Sequence, residues 1–64
     1  EPQYCIFFED IARNLKPAKE LGMKTVWIVN EEPWAAKFSD AKFINYKTKN
    51  LANFLKEINE NRRN

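Results

Sequence analysis

Histidine is missing from this chain, and cysteine occurs once, at Cys5. A zinc centre built on His and Cys ligands is thereby excluded, and no internal disulfide can form. One unpaired cysteine fits a reducing, cytoplasmic setting. Cys5 lies inside an apolar run with no cation beside it in sequence, which predicts a small buried hydrophobe rather than a reactive thiol. No apolar run exceeds five residues, whereas a membrane span requires about 20. The acidic start carries no signal-peptide pattern. Net charge is also weak: 11 basic and 9 acidic residues leave +2. They are interspersed, which describes a solvated surface rather than the concentrated basic face that nucleic acid requires. Glycine occurs once, at Gly22.

What remains is enough for one small domain. Sixty-four residues bury only about 60% of their unfolded surface, so stability is marginal and a metal or a partner is a common supplement. Tyr4 to Phe8 reads as a strand buried on both faces. Ile11 to Arg13 form a turn, and Asn14 is a good N-cap for a short helix from Leu15 to Leu21. Leu15, Ala18 and Leu21 share one face of that helix. Gly22 stands where a helix end needs positive φ, with Met23 as the apolar contact after it. Thr25 to Val29 is a second strand without alternation, as expected of a covered parallel sheet. Pro33 starts a short helix through Lys37, with Trp34 and Phe38 packed against the sheet edge. Ala41 to Tyr46 reads as an edge strand and Thr48 as the cap of the last helix. Leu51, Phe54, Leu55 and Ile58 give that helix one buried face, and the polar end, 59–64, frays. The predicted architecture is α/β. It is a partial doubly wound, Rossmann-like sheet of three parallel strands with two main helices, in the order β-α-β-(short helix or turn)-β-α. Residues 1–64 then make a single, incomplete α/β domain. The chain opens at Glu1-Pro2-Gln3 and enters a strand almost at once, which reads as an excised segment more than a translation start.

The chemistry-bearing feature is Glu9-Asp10, directly after the first strand. A strand that ends in two acids delivers them to the carboxyl edge of the sheet, where open α/β proteins bind ligands. Adjacent carboxylates repel unless a cation intervenes, and Mg²⁺, with its preference for oxygen ligands and retained waters, suits them. The plainer reading is that such acids serve the free amides and dipole of the next helix.

Cys5-Ile6-Phe7-Phe8-Glu9-Asp10, Asn14-Leu15, Ala18, Leu21-Gly22-Met23 and Thr25-Val26 resemble the fourth motif region of haloacid dehalogenase-like phosphatases, most closely the pyrimidine 5'-nucleotidase branch. Ser39-Asp40-Ala41, Phe43-Ile44 and the Leu51, Phe54, Leu55 helix match how such proteins finish, so the resemblance covers roughly Tyr4 to Ile58. It implies Mg²⁺-dependent hydrolysis of a phosphate monoester through an aspartyl-phosphate. Asp10 is then the first choice of metal ligand, Glu9 the second, and Asn14 a support of the metal loop. Glu9 departs from the commoner Asp. The family's Asp-x-Asp strand end and its Ser/Thr and Lys/Arg phosphate clamp have no counterpart here. Phosphoryl transfer depends on positioning and on charge neutralisation around the transferred group, so the chain alone is expected to be inactive. It reads as the C-terminal part of such a phosphatase core, partnered by the missing N-terminal part or by self-association. A phosphorylated small molecule is then the ligand only of the full-length parent, and neither nucleic acid nor membrane is a partner.

Two other readings use the same residues. The strand, acidic pair and Asn-Leu helix also resemble the first third of response-regulator receiver domains, but the third strand ends in Asn45-Tyr46 instead of a phospho-accepting Asp. A small protein-interaction module presenting Trp27, Trp34 and an uncovered sheet edge is the non-catalytic alternative.

Overall fold

A computed structural model describes residues 1–62 of the chain. A 3-10 turn at Pro2–Tyr4 leads into strand β1 (Ile6–Glu9). A second 3-10 turn at Ala12–Asn14 runs into helix α1 (Leu15–Glu20), followed by β2 (Lys24–Ile28), α2 (Pro33–Ala36), β3 (Tyr46–Thr48) and α3 (Leu51–Arg62). The strands form one parallel sheet in the order β1-β2-β3. This is the expected β-α-β-(short helix)-β-α order on a three-stranded parallel sheet.

Strand alternation assigns the two faces. Phe8 pairs with Val26 and Val26 with Tyr46, which makes one row on one face; Glu9, Trp27 and Lys47 make the adjacent row on the other. The second face carries the core: Ala12, Leu15 and Trp27 are buried together, with Val29, Ala36, Phe43 and Ile44 packed on them. Full burial of a side chain such as Leu15 stabilises by about 2 kcal/mol. The first face is covered by α3 through Phe54. Its ring meets Phe8 edge-on and Tyr46 at a tilt, each at a centroid distance of 5.9 Å. Helices therefore lie on both faces, as a doubly wound fold requires.

Thr25 is fully buried and fastens the long β2–β3 connection. Its hydroxyl donates to the Phe43 carbonyl (2.5 Å) and accepts from the Asn45 amide (3.0 Å). The Asn45 side-chain oxygen accepts in turn from the Thr25 amide (2.9 Å). At the end of α1 the amides of Gly22 and Met23 return to the carbonyls of Lys19 and Ala18, and Gly22 has φ +96°. The sequence expectation for this glycine holds, because the closing turn needs a conformation that L-residues resist.

Several boundaries and contacts differ from the expectation. Tyr4 belongs to the 3-10 turn set by Pro2 and is exposed, while β1 starts two residues later and extends to Glu9. Cys5 is exposed rather than buried, and so are Ile6 and Phe7, because β1 is the sheet edge and, among the described residues, no element flanks its outer side. β2 is shifted one residue earlier. β3 is Tyr46–Thr48 instead of Ala41 to Tyr46, since Asn45 is already engaged with Thr25 when the chain reaches the sheet. Leu21 lies just past α1 and is exposed. In α2 it is Ala35 that turns inward and is fully buried, so its neighbour Trp34 faces solvent. Phe38 is exposed as well and has φ +69°. The α3 cap is Asn50, whose side-chain oxygen accepts from the Asn53 amide (3.0 Å); Thr48 instead bonds the Asn50 amide and carbonyl. On the α3 stripe Phe54 and Ile58 are partly buried, whereas Leu51 and Leu55 are exposed. Residues 59–62 continue the helix; residues 63 and 64 of the expected frayed end lie outside the described residues.

Candidate functional site at the carboxyl edge of the sheet

β1 and β2 run parallel and in register, so the residues following them emerge at the same edge. β3 ends there as well, with the Val29 amide bonded to the Thr48 carbonyl (2.8 Å). The three strand ends frame an open cleft of about 520 Å³ lined by Asp10, Ile28, Val29, Asn30, Glu31 and Lys49. Asp10 thus lies in a cleft at the carboxyl edge of the sheet, the edge at which the sequence reading set Glu9 and Asp10.

Two hydrogen bonds fix Asp10. Its backbone carbonyl accepts from the Trp27 indole N–H (2.7 Å), which ties the end of β1 to the buried core. Its carboxylate accepts from the Asn30 side-chain amide (3.0 Å) at the end of β2. Asn30 is itself oriented by the Glu32 amide, which donates to the Asn30 side-chain oxygen (3.1 Å). This is a local turn of the kind Asn side chains make. One Asp10 oxygen is left for the cleft.

Glu9 does not join it. Adjacent residues of a strand point to opposite faces, and the Glu9 carboxylate accepts instead from the Asn14 side-chain amide (2.7 Å) at an exposed position. Asn14 therefore braces Glu9 and makes no side-chain cap bond to α1. The sequence brought Glu9, Asp10 and Asn14 together as one loop; the geometry separates a Glu9–Asn14 pair from an Asp10–Asn30 pair. Asn30, Glu31 and Lys49 were not singled out from the sequence. The available signal was positional: Asn30 and Glu31 lie two and three residues past β2 and Lys49 directly follows β3, at the edge where the first strand had already placed an acid.

Among the described residues, no group of three or more His, Cys, Asp or Glu side chains is arranged to hold a metal ion. The cleft still carries hard oxygen donors, with the carboxylates of Asp10 and Glu31 beside the strand-end backbone. That donor set fits Mg²⁺, which is commonly held by one or two carboxylates with waters and substrate oxygens filling the remaining positions. Lys49 brings a positive charge to the same rim. No helix among the described residues is long and apolar enough to cross a membrane.

No family model matches the chain, and comparison with curated proteins and with solved structures gives no match either.

Proposed function

We propose that this chain supplies the cation-holding arm of a haloacid dehalogenase-like phosphatase core, of the pyrimidine 5'-nucleotidase branch, in a cytoplasmic protein. The observation that carries the reading is the position of Asp10. It ends a parallel strand, its backbone is tied to the core by Trp27, and its carboxylate lines a cleft at the carboxyl edge of the sheet. Asp10 would hold Mg²⁺ through its remaining oxygen and Glu31 would approach it from the next strand end. Glu9 and Asn14 serve the loop from the opposite face and not as ligands. The ion, when bound, supplies charge neutralisation for a phosphoryl group and a fixed point for its oxygens. The chain's own contribution is to orient the Asp10 carboxylate. A nucleophilic acid and a phosphate clamp are not among these residues, so the 64-residue chain does not turn over by itself.

The test is a Mg²⁺ titration followed by amide NMR. Shifts confined to Asp10 and the strand ends at Asn30 and Glu31, and lost in Asp10→Asn, are the expected result. An unchanged spectrum at millimolar Mg²⁺ removes the cation role. The same sample should release no phosphate from p-nitrophenyl phosphate.

A further inference from the structure

β3 ends at Thr48 and α3 begins at Leu51, so Lys49 and Asn50 alone join them. That joint is held from three directions. The Thr48 carbonyl accepts from the Val29 amide (2.8 Å), which ties it to the end of β2. The Thr48 hydroxyl accepts from the Asn50 amide (3.1 Å) and donates to the Asn50 carbonyl (3.0 Å). The Asn50 side-chain oxygen accepts from the Asn53 amide (3.0 Å) in the first turn of α3. Lys49 is therefore carried on a set backbone, exposed, and it lines the same cleft as Asp10 and Glu31.

The lysine two positions earlier is used differently. Lys47 stands in the strand row of Glu9 and Trp27 and pairs with Asp40 (3.3 Å). That is the one ion pair among the described residues, so the Lys49 ammonium pairs with neither acid of its cleft.

A lysine on this rim is not what a bare cation requires. Like charges at one site oppose each other, so Lys49 weakens the hold of Asp10 and Glu31 on a divalent ion. The same ammonium suits an anion, and lysine serves phosphate as a point charge. Asp10, Glu31 and Lys49 together carry one net negative charge and repel phosphate. A divalent ion held by the two acids reverses that sign. The cleft has room for both partners, since its volume of about 520 Å³ falls within the roughly 300–1,000 Å³ of ligand sites.

We propose that Lys49 is the phosphate-contacting residue of this cleft, meeting an oxygen of a phosphate whose other side faces the cation held by Asp10 and Glu31. The inference rests on the cation reading above and adds to it the residue that meets the anion. One ammonium on an open rim is a contact, not the two-residue clamp that turnover requires, so the chain stays inactive. Because cation and anion favour each other, the coupling is reciprocal: Mg²⁺ tightens phosphate by the factor by which phosphate tightens Mg²⁺.

The experiment titrates inorganic phosphate into the isotope-labelled 64-residue chain, with and without saturating Mg²⁺. Ionic strength is held fixed, because salt screens exposed charges. Phosphate should move the amides of Thr48, Lys49 and Asn50 in the Mg²⁺-loaded chain and bind more weakly without the ion. Lys49→Gln should weaken phosphate by about two- to fivefold, the range of a single exposed charge contact, while Mg²⁺ alone binds as well or tighter. These opposite signs are the signature of a group that meets the anion and repels the cation. Lys49→Arg should keep phosphate affinity, and Lys47→Gln, which makes the same change in net charge outside the cleft, should leave it unchanged. Equal phosphate affinity in Lys49→Gln and the parent chain overturns the proposal. So does an equal loss in Lys47→Gln, a loss in Lys49→Arg, or phosphate binding that ignores Mg²⁺. A chain that responds to Mg²⁺ in any of these ways keeps the cation reading and loses only this one; a chain silent to Mg²⁺ loses both.

Discussion

Asn30 donates its side-chain amide to the Asp10 carboxylate across 3.0 Å, joining the carboxyl ends of neighbouring strands. The two residues are twenty positions apart, and the cleft depends on both. Asn30→Ala removes this bond together with the one that the Asn30 oxygen accepts from the Glu32 amide. A loss of about 1 kcal/mol is expected, read as a lower urea midpoint with unchanged slope. The Mg²⁺-induced shifts at Asp10 should weaken in the same variant, because the carboxylate is no longer held in one orientation.

Thr25 concentrates more polar satisfaction than any other buried position. Thr25→Val keeps the shape and removes the hydroxyl, which leaves the Phe43 carbonyl without its donor and the Asn45 amide with only the Thr25 carbonyl as acceptor. Unsatisfied groups of this kind cost about 1–3 kcal/mol, a large share of the stability of so small a domain. Thr25→Ser should recover most of it. Equal destabilisation by Val and Ser would show that the methyl, not the hydroxyl, matters.

Phe54 is the principal aromatic contact of α3 with the sheet, reaching Phe8 and Tyr46. Phe54→Ala should cost about 2–3 kcal/mol, at or below the low end for such truncations because the site is only partly buried. The α3 amides should lose hydrogen-exchange protection before those of β2. Uniform loss of protection across the chain would argue that α3 is integral to the core.

Gly22 and Phe38 both have positive φ, +96° and +69°. A Cβ at Gly22 would meet only the Pro2 Cβ at 3.8 Å, an ordinary contact, so the penalty for Gly22→Ala is conformational: about 1 kcal/mol of destabilisation. Phe38 already bears that cost while exposed, and Phe38→Asn, which tolerates the left-handed region, should leave the urea midpoint unchanged or raised. A clear drop would mean the ring has a packing role.

How much of this was readable beforehand follows from how local each feature is. β1, α1, Gly22 and β2 were legible because hydrophobic runs, a helix stop and β-branched residues act over a few neighbours. The errors sit where a distant residue decides. Tyr4 was assigned to the strand by its apolarity, yet the turn at Pro2 takes it away. β3 was placed too early because Phe43 and Asn45 are held by the Thr25 hydroxyl and amide, links spanning 18 and 20 residues with no local signature. Exposure of Cys5, Ile6 and Phe7 reflects which strand lies at the edge of the sheet, and order within a sheet is not written in any one segment. At the site, the place of Asp10 at the sheet edge was legible because the pair Glu9-Asp10 directly follows an apolar run. Its separation from Glu9 follows from strand alternation, whereas Asn30 needed the parallel register of β1 and β2 before it could be seen.

The bond from the Trp27 indole to the Asp10 carbonyl makes one side chain both a wall of the hydrophobic interior and the anchor of the acidic rim. The rim therefore has no melting transition of its own. The indole proton should exchange with deuterium only when the whole molecule opens, and its resonance, a single well-dispersed line, reports in one measurement whether the interior and the binding edge are both intact.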